Sequence, residues 1–321
     1  MQAPSCSIIV CTYNRAESLR ATLEHLICQQ YVADDLEILV VDNNSNDHTR
    51  DVVESISAGG GIPVRYLFEP VQGLSKARNT GVRASEADVV IFIDDDAYPK
   101  SSDWAMHLAM AFQSTAVGAA GGDAEPVWPV NQGRPKWLHD KLLPYLGIVT
   151  FGFTESHNLQ YPHYPYGVNI AFRRLLILEL GGFREGVGRQ GEVLLSGEEI
   201  DLCLRVASSG SRVIYVPDSG VYHVMAPIRL RRDWFIRRAT FQGISKAMIE
   251  WPGCSALDHS KLLIRRTCIL LAAMSASLAL ALIGLNSLAF VAKCKSAMSA
   301  AYLRYALGSL NNAKDAAHDS E

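Results

Sequence analysis

The seven cysteines (6, 11, 28, 203, 254, 268 and 294) form no CxxC pair and no zinc-ligand spacing. Nothing in the cysteines therefore indicates a structural zinc site or a disulfide framework. A scattered, odd set suits a reducing compartment, where each thiol fills a small core position. Neither sign of charge dominates: 30 Lys and Arg against 33 Asp and Glu leave a net charge of −3. No basic field points to nucleic acid as a partner. Walker A, G-x-G-x-x-G and H-E-x-x-H patterns are all missing, so P-loop, dinucleotide and zincin readings lack support. Internal repeats and low-complexity tracts are also missing. Residues 1–5 carry no positive charge and Ile8-Ile9-Val10 is too short for an h-region, so residence on the cytoplasmic side is the default expectation.

The 321 residues, 49% of them apolar, allow one large domain or one domain with an appendage. Short apolar runs at 7–11, 37–41, 64–68, 89–93 and 116–121 read as strands. Amphipathic stretches at 16–29, 47–57, 75–84 and 103–113 read as helices between them. In the first of these, Leu19, Leu23, Leu26 and Ile27 share one face. Such alternation predicts βαβ units and a mostly parallel sheet flanked by helices. From 123 to about 165 periodicity fades and Pro, Trp, Gly and His accumulate, the pattern of long loops over one sheet edge. Regular pattern returns at 167–180, in a helix at 199–208 and in a strand at 213–216.

Composition shifts again after residue 258. The stretch 267–292 carries no charge and is flanked by Arg265, Arg266, Lys293 and Lys295. As a helix it would extend about 39 Å, beyond the ~30 Å hydrocarbon core of a bilayer. Its Ala and Ser content also suits a core or dimerisation helix, but membrane insertion or attachment is the expectation. Cations on both flanks leave orientation open, with a helical hairpin or a shallow interfacial segment among the forms allowed.

Three consecutive aspartates, Asp94-Asp95-Asp96, follow the apolar run Val89-Val90-Ile91-Phe92-Ile93. That run reads as a buried strand, so the carboxylates emerge at its C-terminal end, where open α/β sheets bind ligands. Like charges packed together cost stability unless solvent or a cation screens them. Alone, the triplet fits either a solvated acidic turn or a cation site. The first strand is followed by Thr12-Tyr13-Asn14-Arg15 and the second by Asp42-Asn43-Asn44-Ser45-Asn46-Asp47. Each has a local reading, Asn14 as a helix cap and 42–47 as an Asx turn plus N-cap. In a parallel sheet all three clusters leave the same edge, which favours side chains that bond ribose, base and cation. At 73–81, Gly-Leu-Ser-Lys-Ala-Arg-Asn-Thr-Gly opens a helix, and Lys76 and Arg78 either face a diphosphate or form a solvated basic face.

These four motifs, at 7–15, 40–47, 73–81 and 92–96, resemble those of the family 2 glycosyltransferases in kind and order, over about residues 5–245. The resemblance implies the GT-A fold, a nucleotide-sugar donor (UDP-, GDP- or dTDP-sugar) and inversion at the anomeric carbon. It implies nucleotide-sugar contacts from Thr12, Tyr13, Asn14, Arg15, Asp42, Asn44, Lys76, Arg78, Asp94 and Asp95. Asp94 and Asp96 correspond to the Asp-x-Asp element, whose hard oxygens suit Mg2+ or Mn2+ on the diphosphate.

Residues 196–205, Ser-Gly-Glu-Glu-Ile-Asp-Leu-Cys-Leu-Arg, resemble the family's acidic motif, in which a carboxylate acts as general base. Glu199 stands where that motif has Asp, one methylene longer, and Glu198 is the next candidate. Locally, Ser196 and Glu199 also have capping-box spacing, and Asp201 with Arg205 is an i,i+4 pair. The resemblance makes His223 a third metal ligand and places Gly167 and Asn169, in the segment 166–174, at the sugar and acceptor pocket. Arg229, Arg231, Arg232, Arg237 and Arg238 interleave with Trp234 and Phe235 where processive members carry Gln-x-x-Arg-Trp, which this chain lacks. They suit a solvated helix face or a grip on a diphosphate or anionic lipid surface.

The expected organisation is a catalytic domain over 1–245 (nucleotide half about 5–122, acceptor half about 123–245) and a membrane-associated helical region over 246–321. The expected reaction is metal-dependent transfer of a sugar to a hydroxyl of a glycan or lipid-linked acceptor, one sugar per encounter. The alternatives are a sugar-phosphate nucleotidyltransferase, which should carry a Gly-rich loop after the first strand, and a catalytically silent nucleotide-sugar-binding protein.

Overall fold

The computed structural model describes residues 3–31, 35–191, 193–252 and 255–318. Packing divides the chain into two units. One comprises Met1–Trp128, Gly147–Gly191 and Glu198–Met225; the other comprises Pro129–Leu146, Glu192–Gly197 and Ala226–Glu321.

The first unit opens with β1 (Cys6–Thr12), α1 (Ala16–Leu26), β2 (Leu36–Asp42), α2 (Thr49–Ala58), β3 (Val64–Phe68), α3 (Leu74–Ala84) and β4 (Val89–Asp94). It continues with β5 (Ala97–Pro99), α4 (Trp104–Met110), β6 (Val117–Gly121), β7 (Ala124–Val127), β8 (His157–Leu159) and β9 (Asn169–Arg173). It ends with α5 (Arg174–Glu179), α6 (Glu198–Ser208), β10 (Arg212–Tyr215) and β11 (Val221–Val224). Eight strands form one sheet in the order β3-β2-β1-β4-β9-β6-β10-β8, and β5-β11-β7 form a second.

The sheet is buried on both faces, which is why its strands read as continuous apolar runs. Ile8, Val10, Ile38, Val40, Ile91 and Ile93 pack on one side with Leu19 and Leu23 of α1, Val52 of α2 and Trp104 of α4. Ile9, Leu39, Val41, Val90 and Phe92 pack on the other with Ala77 and Val82 of α3 and Leu202 and Val206 of α6. Each fully buried aliphatic side chain of this kind contributes about 1.5–3 kcal/mol.

The sheet is mixed at its centre. β9 runs antiparallel between β4 and β6, so the stretch 167–180 is a strand followed by a short helix. A five-residue apolar run cannot be told from a helix segment by periodicity alone. The region expected to be loops, 123–165, also supplies β7 and the edge strand β8, while the last expected strand lies one residue earlier than read, at Arg212–Tyr215.

The second unit contains α7 (Arg232–Glu250), α8 (Ala256–Leu282) and α9 (Asn286–His318). Residue 245 lies inside α7. Ser255 caps α8 by accepting from the Asp258 backbone N–H at 3.2 Å. Among the described residues α8 is the one helix long and apolar enough to cross a bilayer, over Leu257–Leu282. One side of it packs along α9, while Leu271, Leu278 and Leu282 are exposed.

α7 and α9 approach so closely that a Cβ on Gly243 would run into the Met298 carbonyl oxygen. Gly243→Ala should therefore destabilise this unit by about 1–3 kcal/mol, seen as a lower denaturant midpoint followed by tryptophan emission. An unchanged midpoint would show that the helices separate at no cost.

Candidate active site

The parallel register brings the polar strand ends together. Thr12 is the partner of Asp42 across β1 and β2, and Cys11 is the partner of Asp94 across β1 and β4. The loops after β1 and β2 also bond to each other. Asn14 Oδ1 accepts from the Asn46 N–H at 2.8 Å, and the Asn14 N–H donates to Ser45 Oγ at 2.9 Å. Asn14 and Asn44 both sit at positive φ, 52° and 67°, a conformation that Asn tolerates better than most residues. Asp47 accepts from the first N–H groups of α1 (Ala16) and α2 (Thr49), so one carboxylate anchors both helix starts. Asp42 is buried and already accepts from Tyr66 and from the Ser45 N–H. Tyr13 and Asn44 are exposed at the crevice edge.

The triplet divides into three environments. Asp95 is buried and accepts from Thr12 Oγ1 at 2.8 Å and Arg15 Nη1 at 2.6 Å. Burial raises its carboxyl to about 6 against the opposing pull of Arg15, with Asp96 adding to the rise. Arg15 Nη2 reaches Asp96 Oδ2, also at 2.6 Å, so one guanidinium clamps two adjacent carboxylates. Asp95 and Asp96, with Asp94 beyond them, hold Arg15 firmly protonated although burial opposes its charge. Asp96 is buried against His223, whose Nε2 lies 3.2 Å from Asp96 Oδ1. Asp94 is about one-third exposed.

Ligand atoms of Asp94, Asp96 and His223 lie within 4.8 Å of one another. Two carboxylate oxygens and an imidazole nitrogen fit a hard or borderline divalent cation. His223 reaches the cluster from β11, where it is paired to Ala97 of β5. Gly147, at φ 76°, leaves room for the ring, since a Cβ there would sit 3.2 Å from His223 Cε1.

Arg78 differs from the expectation that it faces a diphosphate. Its side chain is 4% exposed and ion-paired to Glu198, also 4% exposed, at 2.7 Å. Its other terminal nitrogen lies 3.7 Å from Asp94 Oδ1. Phe92 and Phe183 flank the guanidinium at 5.7 and 5.4 Å. Burial opposes the charge, but Glu198, then Asp94 and Glu199, push its pKa above the ordinary arginine value. Gly167 is required by this arrangement, because any Cβ there would strike the guanidinium. Asn169 is likewise buried: its amide donates to the Asp123 and Ser219 carbonyls and accepts from Trp104 Nε1. Lys76 is partly exposed and pairs with Glu185 at 3.3 Å.

Glu198 and Glu199 open α6, and only Glu199 remains half-exposed. Asp201 is held by Arg205 (2.8 Å) and by Arg184 (3.0 Å), so the expected i,i+4 pair forms within a larger cluster. The Ser196 hydroxyl donates to Gln242 and accepts from Arg238. Asn43 escaped sequence reasoning. Buried, it bonds the Glu69 and Val71 carbonyls and the Gly73 N–H, tying the β2 end to the start of α3. Its place among four other Asx residues was the available signal.

Residues 7–174, just over half of the chain, match the profile of glycosyl transferase family 2. The chain belongs to that family. It is 31% identical to the glucosyl-dolichyl phosphate glucuronosyltransferase of Haloferax volcanii, over 76% of this chain and 77% of that one. It is 26% identical to glycosyltransferase AglE of the same organism, over 67% and 65%. Among solved structures, the mannosyltransferase PcManGT from Pyrobaculum calidifontis, in complex with GDP-Man and Mn2+, superposes with a TM-score of 0.60. Its sequence identity is 23%, and the match covers 96% of this chain and 87% of that chain. GalNAc-T7 with UDP, GalNAc and Mn2+ superposes at 0.54, with 16% identity and coverage of 79% and 52%. These likenesses establish the GT-A fold, and the protein is a glycosyltransferase.

In this glycosyltransferase the two glutamates should separate by experiment. Glu198→Ala leaves the buried Arg78 charge partly unmatched and should cost on the order of 3 kcal/mol. Glu199→Gln, at a half-exposed position, should leave thermal stability nearly unchanged. Equal melting temperatures for the two variants would remove Glu198 from its structural role.

Proposed function

We propose that the enzyme is an inverting, metal-dependent glycosyltransferase that moves a sugar from a UDP-, GDP- or dTDP-sugar to a hydroxyl of a lipid-linked glycan acceptor. The observation that carries this reading is the joining of two acidic groups in one place. The Asp94–Asp96–His223 cluster lies on one side of the buried Arg78, and Glu198 followed by Glu199 lies on the other. Asp94, Asp96 and His223 would hold Mg2+ or Mn2+. Bound there, the cation supplies positive charge against the negative charge that builds on the departing nucleoside diphosphate.

The chain's own groups do the rest. Thr12 and Arg15 hold Asp95 and Asp96 in place. Tyr13, Asn14, Asp42 and Asn44 line the strand ends where base and ribose would lie, with Lys76 at the entrance. Glu199 takes the proton from the acceptor hydroxyl, whose oxygen attacks the sugar C1 from the face opposite the leaving group. Glu198 and Arg78 position Glu199.

A lipid-linked acceptor is supported by the 31% identical relative, whose name specifies a dolichyl phosphate-linked glucose. Attachment to the membrane through 267–292, on the cytoplasmic side in this reading, is supported as attachment by the exposed apolar face of α8. In this reading 1–245 carry catalysis and 246–321 carry attachment.

Asp96→Asn should reduce sugar transfer at least 100-fold and abolish the extra thermal stabilisation given by Mn2+ with a nucleotide sugar. Full transfer by this variant with added metal would refute the metal role. Glu199→Gln should lose turnover to a similar degree while keeping that stabilisation, and unchanged turnover would move the base elsewhere. Leu278→Glu with Leu282→Glu should shift the protein from the membrane to the soluble fraction. Unchanged fractionation would assign α8 to self-association.

A further inference from the structure

We propose that a groove among α7, α8 and α9 binds the phosphate head of a membrane lipid, with the lipid's hydrocarbon chain lying along the bare face of α8. The inference rests on the reading of the enzyme as acting on lipid-linked acceptors, and it names a site for the lipid outside the catalytic cluster.

The groove has a volume of about 350 Å³ and is lined by the first turns of α7 and α9 and the last turns of α8. Arg232, Lys293, Ser277 and Asn286 supply its polar wall, while Ile236 and Phe290 supply its apolar one. Arg232 packs beside two aromatic rings. Its guanidinium carbon lies 5.4 Å from the ring centres of both Trp137 and Phe290, and those rings meet edge-to-face at 5.2 Å. The rings attract the guanidinium without taking up its N–H groups, and those groups suit the oxygens of a phosphate. Asp233 also reaches the groove, but Arg231 binds both its carboxylate oxygens, at 3.1 and 2.8 Å. Arg232 and Lys293 therefore set the sign of the groove.

The hydrocarbon half of the argument comes from α8. Ser277 and Ala281 form its groove wall, and on the adjoining turns Met274, Leu278 and Leu282 are 56%, 67% and 79% exposed. No charge occurs anywhere in 267–292. A free phosphate would use the two cations and leave these side chains in water. A lipid phosphate uses both features, burying the alkyl chain on α8 while the head meets Arg232 and Lys293.

The test uses the purified full chain and follows tryptophan emission, to which Trp137 beside Arg232 contributes. The probes are a short-chain isoprenyl monophosphate, the matching uncharged isoprenol, and inorganic phosphate. Saturable binding of the monophosphate is expected, with either single-feature probe at least ~10-fold weaker. Arg232→Gln and Lys293→Gln should each weaken the monophosphate by about 10-fold. Arg232→Lys, which keeps the charge but not the planar fork, should fall between wild type and Arg232→Gln. All three variants should keep the thermal stabilisation by nucleotide sugar with Mn2+, which reports an intact catalytic unit. Equal affinity for monophosphate and isoprenol would overturn the phosphate contact. Equal affinity for inorganic phosphate would overturn the lipid, and unchanged binding in the Arg232→Gln, Lys293→Gln double variant would overturn the site. Failure of nucleotide sugar to stabilise the wild type would count against the donor reading alone, because the lipid titration does not depend on it.

Discussion

Arg78 carries a positive charge into the interior of the catalytic unit, beside the rings of Phe92 and Phe183 and against the backbone of Gly167. Withdrawing such a charge from water costs several kcal/mol unless carboxylates answer it. Two do, Glu198 at 2.7 Å and Asp94 at 3.7 Å. They come from distant parts of the chain, the start of α6 and the end of β4. The guanidinium therefore fixes the distance between the acidic triplet and the acidic turn, and both must be in place for its burial to be tolerable. Gly167 follows from the same constraint, since only a residue without a side chain lets the loop before β9 pass so close.

Around this centre the three neighbouring aspartates do different work because their surroundings differ. Asp95 is spent inside the protein on Thr12 and Arg15. Asp96 is shared between Arg15 and His223. Asp94 keeps the most contact with solvent. Three adjacent carboxylates would otherwise repel one another, and the clamp by Arg15 relieves much of that repulsion without using the exposed oxygens of Asp94. A glycosyltransferase of this family thus has a prepared acidic pair whose charge is already part-balanced.

The helical unit solves another version of the same problem. Arg266 is buried against Glu250 at 2.8 Å and lies 4.3 Å from the ring centre of Tyr302, while Arg232 lies over the rings of Trp137 and Phe290. Aromatic faces and single carboxylates accommodate cations inside a largely apolar bundle. What remains uncovered is the outer face of α8, rich in leucine. A surface of that kind is costly in water and favourable against hydrocarbon.

Much of this was legible in the chain itself. The strands at 7–11, 37–41 and 89–93 show as apolar runs because both faces of the sheet are covered there, and the polar residues at their ends mark the ligand edge because parallel strands must all end on one side. Local pattern and order along the chain suffice for that. β9 was hidden, since a five-residue apolar run has no period to betray its direction. The roles of Arg78, Gly167 and Asn169 were hidden for a related reason: a polar residue does not state in sequence whether it faces water or a buried partner. Glu198 and Glu199 are adjacent and chemically alike. Only the tertiary structure, which buries Glu198 against Arg78 of α3 and leaves Glu199 less buried, separates a structural carboxylate from a candidate base. The sequence by itself determined the fold class, the family and the acidic motifs, because these rest on short-range pattern. The tertiary structure alone decided which charges are matched inside, because that depends on partners as distant along the chain as Arg78 and Glu198, 120 positions apart.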